Sequence, residues 1–377
     1  MKLESIAQPS GIAYLSDAKS TSLMAAIDPG APGRRDVLIR TELVGFCGTD
    51  REIVQGGIAV PPDGDGSLVL GHEAVGIVAE VGQDVVGLAA GDRVVPMVRL
   101  GCETCRPCLA GRSDYCLTGD YLEYGITRLH GFARPRVLVP EAATLKVPQG
   151  LGRVAVLAEP LSVIEKTLEQ AAMVLGRIPG MLQEGREWGR GVRALVTGAG
   201  SIGVLTAYLL TQLGFDVEVM DLRSVDSLAA TLVTAAGAAY VKADPDRTPG
   251  DSVAPLKKAD LVVEATGDPV LAIELLGKVA PGGALMLVGV SGETKMLTID
   301  AGATVLRAVL GHHAIMGTVN SSRANYVKAL DDLVVLKERP RFTDIITEVL
   351  PPERFQEAIW PTGEAVKQVV SFDGDGL

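Results

Sequence analysis

Four of the five cysteines crowd into one stretch, Cys102-x-x-Cys105-x-x-Cys108 followed by Cys116. Four thiolates at this spacing close a tetrahedral zinc sphere with no open position, which is a structural site. The surrounding segment holds little apolar material, so the metal would supply much of its folding energy. An iron–sulfur cluster takes the same four sulfurs and stays as a rival, beside four unligated thiols. The fifth cysteine, Cys47, stands apart in Gly45-Phe46-Cys47-Gly48-Thr49-Asp50. Gly71-His72-Glu73 follows downstream, and Ala158-Glu159-Pro160 opens a helical stretch. A thiolate, an imidazole and a carboxylate together make a zinc site with room for a substrate oxygen. Taken singly, Cys47 reads as a small core residue, His72 as a packed histidine, and Glu73 and Glu159 as surface carboxylates. Periodicity alone does not bring the four together.

A second chemical signature lies at Gly198-Ala199-Gly200-Ser201-Ile202-Gly203, the pattern GxGxxG. It follows the strand-like Ala194–Thr197 and opens a helix, the context that makes it a dinucleotide site rather than a bare turn. The helix N-terminus, at Ser201 and Ile202, presents free N–H groups to a pyrophosphate. The next strand ends at Asp221, about twenty residues on, where an acidic side chain accepts from the adenosine ribose and favours NAD. Arg223 two positions later suits a 2′-phosphate and so admits NADP; facing solvent or stacking on adenine are its bland alternatives.

The elements that must hold these groups divide the chain in two. The first part reads as short strands punctuated by Gly and Pro: Val37–Val44, partly alternating like a half-buried strand, then Val69–Leu70, Ala74–Val78 and Asp92–Pro96. Residues 100–125 look like a loop lobe. Leu161–Val174 has helical spacing, and Gly180–Gly191 reads as a boundary loop. Strands and helices then alternate: Ala194–Thr197, helix Ile202–Leu213, Asp216–Met220, helix Ser227–Ala236, Ala239–Val241, Leu261–Glu264, helix Pro269–Val279 and Ala284–Val288. Such alternation predicts a doubly wound parallel sheet with helices on both faces, the Rossmann arrangement. Helix Asn325–Leu336 comes next, and the tail, with Phe355–Ile359 helical and Gln368–Phe372 extended, is expected to return to the first domain.

The totals set outer limits. The chain has 377 residues, 47% of them hydrophobic and 21% charged, with a net charge of −11. That composition fits a two-domain globular enzyme. Scattered basic residues argue against nucleic acid or an anionic membrane as partner. Met1-Lys2-Leu3-Glu4-Ser5 lacks a signal-peptide start, and no clean apolar run spans a bilayer, so a cytoplasmic location is expected. In a reducing compartment the crowding of the cysteines favours a metal site over disulfides.

In this order, Gly45–Asp50, Gly71-His72-Glu73-Ala74-Val75-Gly76, Gly91-Asp92-Arg93-Val94, the four-cysteine lobe and Gly198–Gly203 resemble the zinc-dependent medium-chain dehydrogenases over nearly the whole chain. Ala158-Glu159-Pro160-Leu161-Ser162, Ile164-Glu165-Lys166, Val263-Glu264-Ala265-Thr266-Gly267 and Gly317-Thr318-Val319-Asn320 are most similar to archaeal-type glucose dehydrogenases.

The resemblance implies an α/β chain. A GroES-like, β-rich catalytic domain would span 1–188, with a structural zinc lobe at about 100–118. A dinucleotide-binding Rossmann domain would span 189–319, and 320–377 would return to the catalytic domain. It further implies zinc-dependent oxidation of glucose at C1 to the lactone, with hydride passing to NAD and/or NADP. Cys47 and His72 would hold the catalytic zinc, Glu73 would either support the ligands from behind or alternate as a ligand itself, and Glu159 would contact the metal directly or through water. Thr49 would relay the substrate proton. Glu123 and Asn320 would bind the sugar, Asn320 also lying near the nicotinamide, and Thr266, Gly289 and Val290 would line the cofactor cleft. Where some relatives carry a polar sugar-binding residue, this chain has Val98. A homo-oligomer, dimer or tetramer, is implied, with an edge near Ala284–Val290 as one pairing surface. The alternatives are another polyol or alcohol dehydrogenase of the same superfamily and a non-catalytic dinucleotide-binding relative.

Overall fold

The structure, a computed structural model, describes residues 10–373 apart from 26, 57, 186, 291, 293 and 294. The N-terminal Met1–Ser5 lie outside the described residues. The chain forms two compact units, one comprising Met1–Ser162, Asn320–Lys337 and Ile346–Leu377, the other Val163–Val319 and Glu338–Ile345. The division falls within helix Ala158–Leu175, whereas the sequence suggests the Gly-rich loop after it.

The first unit is organised around strand Asp36–Gly45. This strand pairs antiparallel with Glu73–Val81, Arg136–Pro140 and Lys367–Ser371 in a seven-stranded sheet. Only Arg40 of its ten residues is exposed, so the strand is not half-buried as its partial alternation suggests. Side chains on both of its faces are buried, and the apolar run Val37-Leu38-Ile39 fits that better than alternation does. The register matters for chemistry: Gly45 lies opposite Glu73 on one side and Val369 on the other. Strand Lys367–Ser371 is thereby drawn from the far end of the chain to the segment bearing Cys47. A smaller sheet of Arg99–Leu100, Leu122–Tyr124 and Arg128–Leu129 places Arg99 directly across from Glu123.

The second unit has one six-stranded, all-parallel sheet. Its order is Ala239–Lys242, Asp216–Asp221, Arg193–Thr197, Ala259–Glu264, Val279–Leu287, Ala314–Gly317. Strand order reverses beside Arg193–Thr197, a switch point of the kind where open α/β sheets take ligands at their carboxyl ends. Leu195, Val262, Leu275, Val279 and Leu285 form part of its buried core.

Two expectations are revised in this unit. The helix predicted over Pro269–Val279 ends at Glu274 and tightens into a 3-10 turn over Leu275–Lys278, where Gly277 weakens helical propensity. Val279 already begins the next strand. Nor is Ala284–Val290 a sheet edge: Ala284–Leu287 pairs with Ala314–Gly317, which is the edge strand. A helix at Ala301–Leu310, capped by the Asp300 carboxylate on Ala303 N, precedes that strand.

Candidate active site

The turn at Cys47 is built by the cysteine itself. Cys47 is the N-cap of helix Gly48–Val54: its Sγ accepts from Thr49 N at 3.2 Å, and Asp50 Oδ2 accepts from Cys47 N at 2.9 Å. This reciprocal box satisfies helix donors that would otherwise be orphaned. Asp50 is fully buried, and its other oxygen accepts from Gly71 N at 3.3 Å. One carboxylate thus ties the Cys47 turn to the residue preceding His72. Cys47 Sγ and His72 Nε2 meet at 3.2 Å, and Thr49 sits in the first turn of the helix that Cys47 caps.

Around His72 the charge is mostly negative. Ligand atoms of His72, Glu73 and Glu159 lie within 4.8 Å of one another, as do those of Cys47, Asp50 and His72. Burial opposes an imidazolium at His72, yet Cys47 and Asp50 outweigh it and hold its pKa well above the ordinary value. Burial pushes the Glu159 carboxyl up to about 7, with His72 pulling it down and Glu73 pushing it further up. Glu73 has its own counter-charge. Lys367 Nζ reaches its two oxygens at 2.7 and 2.6 Å and also donates to Phe46 O at 3.0 Å. Gly45 makes room for this, since a Cβ there would lie 2.2 Å from Glu73 Oε2.

These residues fit a zinc ion. A soft sulfur, an imidazole and a carboxylate are its preferred donors. His72 Nδ1 is buried with no hydrogen-bond partner and faces Asp50 Oδ1 at 3.7 Å, the arrangement by which a carboxylate steers a metal-bound histidine. A divalent cation would also balance buried acids that Lys367 alone does not.

The sulfurs of Cys102, Cys105, Cys108 and Cys116 also lie within 4.8 Å of one another, and none is in a disulfide. Cys102 Sγ accepts from Thr104 Oγ1 at 3.2 Å and Cys105 N at 3.4 Å, and the former contact leads in drawing its thiol down to about 5. Burial pushes Cys108 up to about 12. Gly101 permits the packing, because a Cβ there would come within 2.8 Å of Cys108 Sγ. Four sulfurs so placed suit the closed tetrahedral sphere.

A second buried polar cluster centres on Glu123. Its Oε1 accepts from Arg99 Nε at 2.9 Å, Arg99 Nη2 at 2.8 Å and Asn320 Nδ2 at 2.8 Å. Asn320 adopts φ of +60°, a left-handed conformation that asparagine tolerates, and its Oδ1 accepts from Ser321 N at 2.8 Å.

In the second unit the glycine pattern does what its spacing predicts. Gly198 has φ of +90°, and a Cβ on Gly203 would lie 1.8 Å from Gly198 O, so helix and strand touch there. A Cβ on Gly200 would meet nothing within 4 Å, and no side chain caps helix Ser201–Gln212, leaving its first N–H groups for an anion. Asp221 Oδ2 accepts from Ala199 N at 2.6 Å, and Oδ1 accepts from Arg223 Nε at 2.9 Å. Burial raises the Asp221 pKa, but the bonds from Arg223 and Ala199 prevail and hold it below the usual range. Arg223 therefore pairs with Asp221 rather than standing free. Past the next strand, buried Glu264 accepts from Thr266 N at 2.6 Å, the Thr266 hydroxyl and Gly267 N at 3.0 Å, fixing the turn that carries Thr266. Gly289 packs on that turn, where a Cβ would lie 2.1 Å from Gly267 N, and Val290 is half exposed.

The structure therefore groups Cys47, Thr49, His72, Glu73 and Glu159 in the first unit, and separately joins Glu123 to Asn320. Asp50, Lys367 and Arg99 were not singled out as functional from sequence. The box spacing of Cys47 and Asp50 was available as a signal. Nothing local marks Lys367 or Arg99, whose partners are 294 and 24 residues away.

Two family models match the chain: an alcohol dehydrogenase GroES-like domain over residues 33–149, and a glucose dehydrogenase C-terminus over residues 152–372. Among curated relatives, glucose 1-dehydrogenase of Thermoproteus tenax is 38% identical over 350 residues, 90% of this chain and 92% of the relative. That of Methanocella arvoryzae is 37% identical over 336 residues, covering 87% and 89%. Among solved structures, Haloferax mediterranei glucose dehydrogenase in complex with NADP, Zn and gluconolactone superposes with a TM-score of 0.86 at 29% identity, covering 97% of this chain and 100% of that one.

Proposed function

Because the chain belongs to the zinc-dependent medium-chain dehydrogenases, in their glucose dehydrogenase branch, we propose that it oxidises glucose at C1 to the lactone with NAD or NADP as acceptor. Bound zinc lowers the pKa of a substrate hydroxyl, and bound nicotinamide accepts the hydride. Cys47 and His72 hold the catalytic ion, with Glu159 beside it. Glu73 is held by Lys367 on both oxygens and keeps one acceptor position on each for an alternating contact with the ion. Asp50 orients His72, and Thr49 relays the substrate's proton. Cys102, Cys105, Cys108 and Cys116 hold the structural ion. Gly198, Gly200, Ser201, Ile202 and Gly203 receive the pyrophosphate. Asp221 offers acceptors to the adenosine ribose, and Arg223 offers charge to a 2′-phosphate once it leaves Asp221, so both cofactors are served. Thr266, Gly289 and Val290 border the nicotinamide.

The observation that carries the sugar reading is the hydrogen bond between Glu123 and Asn320, residues 197 positions apart joined in a buried polar cluster. A site for a simple alcohol needs no such acceptor, whereas one that discriminates hydroxyls needs buried, placed polar groups. The test is a panel of aldoses, sorbitol and simple alcohols, each with NAD and with NADP, followed at the reduced-cofactor absorbance. Glucose is expected to give the highest kcat/KM, and turnover of sorbitol without turnover of any aldose would overturn the proposal.

The reading extends to a cytoplasmic homo-oligomer, dimer or tetramer. No described helix is long and apolar enough to cross a membrane. Helix Ala301–Leu310 buries none of its residues and exposes Val305, Leu306, Val309 and Leu310, while the neighbouring strand Ala314–Gly317 is a sheet edge with Ile315 exposed. An apolar helix face beside an open strand edge suits pairing with a second copy.

A further inference from the structure

We propose that Arg99 is a positioning residue for the sugar: it fixes Glu123 so that Oε1 is occupied within the protein and Oε2 accepts a substrate hydroxyl. The proposal rests on the sugar-binding role of Glu123 given above and adds a residue to it.

The cross-strand register sets Arg99 opposite Glu123. Both Arg99 Nε and Nη2 converge on the same oxygen, Oε1, where Asn320 Nδ2 is the third donor. Among the described residues Oε2 takes one protein donor, Thr127 Oγ1 at 3.2 Å. An ionised carboxylate has about four acceptor positions, two on each oxygen. Oε1 is thus saturated, and Oε2 has capacity left. A pair serving only to staple two strands gains most from the fork-to-fork geometry, one nitrogen on each oxygen. Here the guanidinium is turned onto one oxygen and leaves the other available.

Arg99 is itself immobilised. Its guanidinium carbon lies 3.8 Å from the centroid of the Tyr121 ring, and Nη1 donates to Asp114 O at 3.4 Å. Asp114 lies between Cys108 and Cys116, so the cysteine lobe supports the sugar carboxylate through this arginine. Arg99 and Glu123 side chains are 9% and 8% exposed, and the cation lets Glu123 stay buried as a charged acceptor. Lysine offers one point charge without the planar fork and cannot reproduce the hold.

The test uses the zinc-loaded enzyme with glucose and the series of monodeoxyglucoses. Glu123→Gln first identifies the deoxyglucose whose KM it does not raise, the one lacking the hydroxyl that Glu123 accepts. Arg99→Lys is then expected to raise the KM for glucose about tenfold, the scale of a charge-assisted hydrogen bond, with kcat little changed and that deoxyglucose unaffected. Combined with Glu123→Gln it adds nothing further. Tyr121→Leu, which loosens the guanidinium without touching the carboxylate, is expected to raise the glucose KM about threefold and spare the same deoxyglucose. An unchanged glucose KM in Arg99→Lys beside a raised one in Glu123→Gln overturns the proposal, as does an equal rise for every sugar, which marks a purely structural role. If Glu123→Gln leaves the KM for glucose unaltered, the sugar role of Glu123 fails first and the role of Arg99 with it.

Discussion

Cys47→Ser is expected to lower glucose turnover by about a thousandfold, the equivalent of several kcal/mol of metal-ion catalysis, with the fold intact. The two effects separate because Cys47 has two jobs. As N-cap of Gly48–Val54 it accepts from Thr49 N, and serine is a favoured residue there. As a zinc donor it offers a thiolate beside His72 Nε2, and a serine hydroxyl does not replace that soft ligand. His72→Ala is expected to match the loss. Steady-state rates from reduced-cofactor absorbance, with circular dichroism as the fold control, check both. Near-normal rates in the two variants would refute their assignment as metal ligands.

Lys367→Met is expected to destabilise the protein by about 3–5 kcal/mol, the cost of leaving one partner of a buried ion pair without the other. The pair is 1% and 2% exposed, and Lys367 also donates to Phe46 O. Burial lowers the Lys367 pKa, yet Glu73 and Cys47 prevail and raise it, so the lysine is charged. Adding Glu73→Gln removes the stranded charge and is expected to restore most of the loss. Urea unfolding midpoints of the wild type and the single and double variants decide the matter. An unchanged midpoint for Lys367→Met would mean that Glu73 does not depend on this cation.

How much of this was readable beforehand follows from the range of each signal. GxGxxG, the cysteine spacing and the strand–helix alternation after residue 193 are local patterns, and five of the six strands of the parallel sheet follow from that alternation. Cys47, His72 and Glu159 were readable as donor types but not as neighbours. The meeting of Cys47 and His72 depends on the register of Asp36–Gly45 against Glu73–Val81 and on the Asp50 bonds to two separate turns. Lys367 was not readable at all, because a lysine in a short C-terminal strand looks like any edge residue until that strand pairs beside Gly45. The edge expected at Ala284–Val290 failed for a related reason. The four-residue strand Ala314–Gly317 is too short for period-two alternation to declare itself, yet it covers that side of the sheet.

Zinc counting by native mass spectrometry probes the catalytic cluster without reference to any substrate. The wild-type chain is predicted to carry one ion in the Cys47–His72 cluster and one in the four-cysteine cluster, and Cys47→Ser to retain the second alone. A wild-type chain holding zinc only on the four cysteines, or a Cys47→Ser variant with its full complement, would contradict a catalytic ion bound by Cys47.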